Sequence, residues 1–215
     1  MASYPASHWQ KKLADYSATP WAGTPNPFAI MTASHVPAGG DILELGTGVG
    51  QDGLWFSREG FNVTATDAQD QFFASIQDKN VTSGGDLELK VLDVTQPFEF
   101  VNQQFNAVYA HLVLHYFNDE EMESILSEIK RVLKPGGILA VLVNSQADSE
   151  YDASKAEDGL IDFGTLTKRY FTVDMLGDMM QGFDTIILDD NGKTAKDEAI
   201  GNSGLIQFIG MKHGR

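Results

Sequence analysis

The segment Asp41-Ile42-Leu43-Glu44-Leu45-Gly46-Thr47-Gly48-Val49-Gly50, followed by an acid at Asp67, constrains this chain more than any other feature. A short apolar run ends in three alternating glycines. A helix-forming stretch follows, and a second apolar run from Asn62 to Thr66 leads to a carboxylate. This is the pattern of a buried strand, a tight loop, a helix and a parallel strand. Such a unit builds a crevice for a nucleoside-bearing ligand at the carboxyl end of a parallel sheet.

Two glycine registers overlap in this segment. Gly46, Gly48 and Gly50 alternate, whereas Gly48, Gly50 and Gly53 meet the dinucleotide spacing G-x-G-x-x-G, with Asp67 lying 19 residues after Gly48. Glycine spacing therefore does not choose the ligand, but charge does. A pyrophosphate is an anion that uses the amino terminus of the helix, and carboxylates beside it are costly. Here Glu44 ends the strand, Asp52 falls in the first helical turn, and no lysine or arginine follows the loop before Arg58. S-adenosylmethionine carries an ammonium and a sulfonium and no phosphate, so the acidic loop suits it better.

Around these residues, from about Pro37 to Asn144, the chain resembles the class I S-adenosylmethionine-dependent methyltransferases. Glu44, Leu45, Gly46, Thr47, Gly48 and Gly50 are similar to the family's first motif, which wraps the methionine part of the cofactor. Asp67, with Ala68 beside it, matches the acid that holds the ribose hydroxyls. Leu92-Asp93-Val94 matches the segment where an aspartate meets the adenine amino group. Phe105 to His111, including Ala110, matches the fourth strand, which runs under the cofactor toward the acceptor. Arg131-Val132-Leu133-Lys134-Pro135-Gly136-Gly137 resembles the turn before strand five. The resemblance implies a Rossmann-like α/β fold with a seven-stranded, mostly parallel sheet, an antiparallel last strand and helices on both faces. It also implies S-adenosylmethionine as cofactor and S-adenosylhomocysteine as product. The small enzymes resembling tellurite-resistance and thiopurine methyltransferases fit in size.

Composition narrows the partners. The 215 residues fit one domain, 42% of them hydrophobic and 21% charged. There is no cysteine, which removes disulfides, thiolate metal sites and a cysteine nucleophile. The formal charge is −15, with 30 acidic against 15 basic residues. Such a field repels nucleic acid, and no basic cluster relieves it. Without an apolar run of membrane length or a secretory leader, a cytoplasmic protein acting on a small-molecule acceptor, with no nucleic-acid or membrane partner, is expected. Oligomeric state is not encoded in any pattern found.

Four stretches divide the chain: an amino-terminal accessory segment or lid (1–36), a cofactor-binding core (37–144), a polar insertion or substrate loop (145–172), and a terminal helix with edge strands (173–215). A short helix is expected from about His8 to Tyr16. The stretch Pro20 to Phe28 either folds over the cofactor or packs its aromatics on the sheet edge. Helices are expected at Gln51–Arg58, Asp70–Lys79, Asp119–Leu133 (capped by Asn118) and from a Thr172 cap through Gln181. Strands are expected at 42–45, 62–66, 87–92, 105–109, 138–143, 185–188 and 205–210, with Asn191-Gly192 opening a long hairpin connection between the last two.

Methyl transfer from a sulfonium is an in-line displacement that mainly needs alignment, plus removal of a proton if the acceptor carries one. His111, His115 and Tyr116 follow the fourth strand and are the candidate catalytic groups. Either histidine acts as a base or orients an acceptor, or both simply pack in their apolar setting. A rival reading is a short-chain oxidoreductase, because Tyr151 and Lys155 have the tyrosine-x-x-x-lysine spacing that joins a phenol and an ammonium on one helix face. A third is a non-catalytic cofactor-binding regulatory module. No metal site is expected, since His111 and His115 lack a third ligand at a telling distance.

Overall fold

The computed structural model describes residues 6–164, 166–196 and 204–214. Its helices are α1 (Ala6–Ser17), α2 (Pro27–Ala33), α3 (Gln51–Arg58), α4 (Phe73–Ser83), α5 (Asp119–Val132) and α6 (Val173–Met179). Single 3-10 turns occupy Pro20–Gly23 and Leu114–Tyr116. The strands are β1 (Asp41–Leu45), β2 (Asn62–Asp67), β3 (Leu87–Val91), β4 (Phe105–His111), β5 (Leu133–Asn144), β6 (Leu160–Asp162), β7 (Thr167–Arg169), β8 (Phe183–Gly192) and β9 (Leu205–Lys212).

Seven strands form one sheet in the order β3-β2-β1-β4-β5-β9-β8. The pairs from β3 through β5 are parallel, and β9 runs antiparallel to both β5 and β8. The chain moves outward from β1 to β3 and returns to β4, so the sheet's switch point lies between β1 and β4. That is where a crevice must open at the carboxyl ends of the strands.

Strand β5 explains why the sheet takes helices on both faces. Leu139, Val141 and Val143 enter one core with Ile125, Ile129 and Phe208, while Ile138, Ala140 and Leu142 enter the other with Ile42 and Ile209. A strand buried on both sides carries a continuous apolar run rather than an alternating one. Helix α5 is fixed locally at its start. The Asn118 side chain accepts from the Glu121 amide, Glu121 answers the Asn118 amide, and Asp119, Glu120 and Glu121 face the positive end. Arg131, at the far end, does more than offset the helix dipole. Its guanidinium donates to the carbonyls of Phe98 (2.8 Å) and Phe100 (2.7 Å) and tethers the connection leading to β4.

Several boundaries differ from the sequence expectation. Helix α4 begins at Phe73 rather than Asp70 and runs on to Ser83, where Gly84 caps it at φ +70°. Strand β5 begins at Leu133, so Pro135 and Gly136 lie in an irregular start whose register shifts between Phe105 and Ala107 of β4. Asn191 and Gly192 belong to the end of β8 rather than to a turn, and most of the expected connection, residues 197–203, lies outside the described residues. The polar insertion is structured. It carries β6 and β7 as an antiparallel pair, and buried Arg169 forms an ion pair with Asp119 at the start of α5.

Candidate functional site

The glycine loop turns three times through the left-handed region, at Gly46 (φ +70°), Gly48 (+54°) and Gly50 (+78°). Only glycine adopts these angles without cost. A Cβ on Gly46 would also stand 2.4 Å from Val113 Cγ2, so the loop is seated directly against the segment after β4. Thr47 donates its amide to the Thr66 carbonyl (2.8 Å), and the Thr66 hydroxyl returns a bond to the Glu44 carbonyl (2.7 Å). The loop is therefore laced to β2.

Glu44 is buried, and its Oε2 accepts from Thr47 Oγ1 at 2.7 Å and from the Gly53 amide. A Cβ on Gly53 would come within 2.4 Å of that oxygen. The carboxyl group thus takes the Gly53 amide in the first turn of α3, where a pyrophosphate would bind. Burial, then the nearby Asp52, push the Glu44 pKa up to about 8. A carboxyl held in this state gains from a neighbouring cation and loses from an anion. Among the described residues, Leu45 and Thr47 are buried in the same loop, and no salt bridge reaches Glu44, Asp52 or Asp67.

Asp67 ends β2 opposite the loop. Its Oδ2 accepts from the Gly48 amide (3.0 Å) and its Oδ1 from Gln69 (3.1 Å), with the Ala68 amide contributing as well. Burial raises its pKa, against the pull of those amides. Asp93 lies beyond β3 and is exposed. Its Oδ1 accepts from the amide and hydroxyl of Thr95 (3.0 and 2.7 Å), so it forms a turn, while Val94 next to it enters the core.

Asp52 holds a network that the sequence reading had treated only as charge. It accepts from the Asn26 amide and Nδ2 and from the Tyr109 hydroxyl, each at 2.8 Å. Asn26 Oδ1 in turn accepts from the Ala195 amide (2.9 Å). Gln51 accepts from the Tyr16 hydroxyl (2.6 Å) and donates to the carbonyls of Trp21 and Thr24. The amino-terminal segment is thus bonded onto the first turn of α3. Its helix α1 presents Trp9, Lys12, Leu13 and Tyr16 on one face, the i, i+3, i+4, i+7 spacing that faces a partner. Leu13 lies 3.2 Å from the position of a Gly48 Cβ, and the Trp9 ring meets Tyr116 edge-on at 5.0 Å. That helical spacing was the available signal for these contacts.

Past β4 the backbone bends through Leu112 (φ +56°) into the 3-10 turn. Ala110 is buried. His111 is half-buried and stacks on Tyr109 at 6.2 Å and 12°. His115 is 1% exposed and lies against Tyr116, with ring centroids 4.1 Å apart. Neither ring nitrogen of His115 has a hydrogen-bond partner among the described residues. Burial, then the charges of Lys168 and Lys12, hold its pKa well below the usual imidazole value, so it is neutral.

Tyr151 and Lys155 do not share a helix face. They lie in a turn region where Lys155 pairs with Asp152 at 2.9 Å on the surface and Tyr151 packs against Tyr170. The oxidoreductase reading loses its geometric basis there. No group of three or more histidine, aspartate or glutamate side chains among the described residues is arranged to hold a metal ion. No described helix is long and apolar enough to cross a membrane.

This arrangement, a 3-2-1-4-5 parallel core with a reversed strand at one edge and an acidic glycine loop at the switch point, is the class I methyltransferase fold. Residues 42–137 match the family model described as methyltransferase domain. Phosphoethanolamine N-methyltransferase 1 of Triticum aestivum is 34% identical over 105 residues, 46% of this chain and 20% of that protein. The chain spans no more than about half the length of the curated relatives it matches. Among solved structures, an S-adenosylmethionine-dependent methyltransferase from Methanosarcina mazei superposes with a TM-score of 0.69 at 21% identity, covering 86% of this chain and 98% of that one. The Burkholderia thailandensis 1,6-didemethyltoxoflavin N1-methyltransferase, solved with its substrate and S-adenosylhomocysteine, gives 0.70 at 15% identity over 96% and 84%.

Proposed function

We propose that the protein is an S-adenosylmethionine-dependent methyltransferase acting on a small-molecule acceptor. The observation that carries this reading is the buried Glu44 carboxyl seated on the Gly53 amide in the first turn of α3, with Asp52 and Asp67 around it. A cationic cofactor fits that setting, and a dinucleotide phosphate does not. Glu44 and Thr47, with Leu45, Gly46, Gly48 and Gly50 shaping the loop, would hold the methionine end. Asp67 and Ala68 would meet the ribose, Asp93 and Val94 the adenine, and Ala110 would floor the path to the acceptor.

The cofactor would supply an electrophilic methyl group. The acceptor's lone pair forms the new bond as the carbon–sulfur bond breaks, and a proton leaves the acceptor where it carries one. His111, at the end of β4, would take or relay that proton. His115 is neutral and packs against Tyr116, so it would orient rather than titrate, and Tyr116 would line the acceptor side. The wheat and Burkholderia proteins are both named for small-molecule acceptors, which supports that class here.

Calorimetric titration with S-adenosylhomocysteine, NADH and NADPH tests the reading. Micromolar binding of S-adenosylhomocysteine, lost in Asp67→Ala, is expected. Binding of a nicotinamide dinucleotide in its place would overturn it.

A further inference from the structure

The end of the molecule beyond Tyr116 has a charge pattern opposite to that of the glycine loop. Lys12 is exposed on the edge of the α1 face that carries Trp9 and Leu13, its ammonium 5.1 Å from the Trp9 ring centroid. Among the described residues it makes no ion pair. Lys168 on β7 is 11% exposed in its side chain and stands 4.7 Å over the Tyr170 ring. The backbone places this strand at the carboxyl end of the sheet, because the Phe171 amide bonds to the Asn144 carbonyl at 2.9 Å. The β6–β7 hairpin packs against the 3-10 turn that carries His115.

In a chain of net charge −15, two lysines on segments that pack around the 3-10 turn of a buried, unpartnered imidazole, Lys12 through Trp9 and Tyr116 and Lys168 through β7, need an explanation. They sit close enough to each other, and to His115, for their charges to act on both. The carboxylates facing them are Glu150, bound to Lys168 at 2.8 Å, and Asp148, which is felt at Tyr170. Lys196 adds a third positive charge near Lys12. Glu150 is 66% exposed in its side chain and reaches in from the loop after β5. Lys168 is the more buried member of this pair and Glu150 the solvent-facing one, bonded also to the Tyr170 hydroxyl at 3.4 Å, so another anion can take the carboxylate's place without uncovering the ammonium.

We infer that Lys12 and Lys168 form an anion subsite for the acceptor, which carries a carboxylate or phosphate that replaces Glu150 on Lys168 while Trp9, Tyr116 and Tyr170 pack its body. This inference rests on the methyltransferase reading for the word acceptor, but not for the site. An oxygen of the bound group would also give the His115 ring its missing partner. Opposite signs at the two ends then set the cofactor's cation and the acceptor's anion apart, so each ligand is repelled from the other's seat.

The test uses the whole chain with its histidine rings labelled for NMR. It is titrated with benzoate, with benzamide as the neutral isostere, and with inorganic phosphate, each with and without S-adenosylhomocysteine. Benzoate or phosphate should move the His115 signal and bind about tenfold more tightly than benzamide, the range of one charge-assisted contact. Tighter benzoate would identify a carboxylate, and tighter phosphate a phosphate. Lys168→Gln and Lys12→Gln should each remove most of that preference, and Glu150→Gln should strengthen anion binding. Equal binding of benzoate and benzamide, or a preference unchanged in both lysine variants, overturns the inference. Weaker anion binding in Glu150→Gln does the same. Failure of S-adenosylhomocysteine to bind the parent protein would overturn the methyltransferase reading instead, while the anion titrations without it still decide the subsite.

Discussion

The two ends of the crevice are built by different means. The glycine-loop end comes from one continuous stretch, residues 44–67, and its acids are locked by local bonds: Glu44 to Thr47, Asp67 to Gly48. The end beyond β4 is assembled from three distant segments, α1, the 3-10 turn at 114–116 and the β6–β7 hairpin. Its polar groups are only partly satisfied, with Lys12 unpaired and His115 unpartnered among the described residues. A site that binds the same ligand throughout a fold family can be encoded in a short rigid motif. A site that varies its ligand is better carried on loops that change independently of the scaffold.

The sharpest way to break this contrast is to disrupt the loop itself. Gly46→Val places a β-branched residue at φ +70° against Val113. We expect a loss of about 3 kcal/mol in folding stability, from backbone strain and overpacking together. Binding of S-adenosylhomocysteine should vanish. Chemical denaturation and calorimetry check both, and near-parental values for either would show that the loop is not the rigid element described.

Asn26→Ala should come next. It removes the side chain that bonds Asp52 and Ala195 and ties α2, α3 and the segment after β8 together. Leaving a buried carboxylate oxygen short of a donor should cost about 2 kcal/mol in denaturant unfolding. Tyr109→Phe, which takes one donor from the same carboxylate, should cost about 1 kcal/mol. The two should be non-additive, since they share Asp52. Additivity would mean that Asp52 does not join the amino-terminal segment to the core.

Glu44 offers a pH test of the acidic end. Its folded-state pKa of about 8 lies above the ordinary 4.5. A carboxyl with a raised folded pKa adds stability while it is protonated in both states, and that stability is lost as pH rises from 4.5 toward 8. The free protein should therefore lose stability across this window, and Glu44→Gln should flatten the loss. A cation bound nearby favours the ionised carboxyl, so binding of S-adenosylhomocysteine, which retains the ammonium, should release a proton and tighten as pH rises. Calorimetry in buffers of different ionisation enthalpy measures that proton. A pH-independent affinity in the parent protein would separate Glu44 from the ligand's cation.

The same contrast explains what could be inferred before the structure. The order of strands and helices from β1 to β5, the Asn118 and Thr172 caps and the acidic loop follow from local chemistry, whereas helix α2 and the β6–β7 pair were not legible in the pattern. Asp52 was visible only as a charge, because its partners Asn26 and Tyr109 lie 26 and 57 residues away. Lys12 and Lys168 stand in the short basic pairs Lys11-Lys12 and Lys168-Arg169, and a pair of basic residues in a polar stretch has the appearance of a solvated surface. Asp93 was open between an adenine contact and a turn, and the structure gives it the turn's bonds to Thr95. The start of α4 was misplaced because Asp70 resembles a cap, whereas the helix begins only at Phe73, after a turn bonded from the Phe73 amide to the Asp70 carbonyl (2.9 Å).

The smallest expected effect is the most discriminating for the acceptor end. Lys155 is as basic as Lys168 and lies only 13 positions away in sequence, yet it is 70% exposed and pairs with its own neighbour Asp152. An exposed pair at this spacing contributes about 0.5 kcal/mol or less. Lys155→Ala should leave unfolding within that margin and leave both S-adenosylhomocysteine and anion binding as in the parent. If charge alone governed the acceptor end, removing either lysine would weaken anion binding alike through the general field. A loss confined to Lys12→Gln and Lys168→Gln, with Lys155→Ala silent, would instead show that position on the crevice wall, and not net charge, makes the subsite. A Lys155→Ala protein that loses anion affinity as Lys168→Gln does would reduce that end of the molecule to a diffuse electrostatic patch.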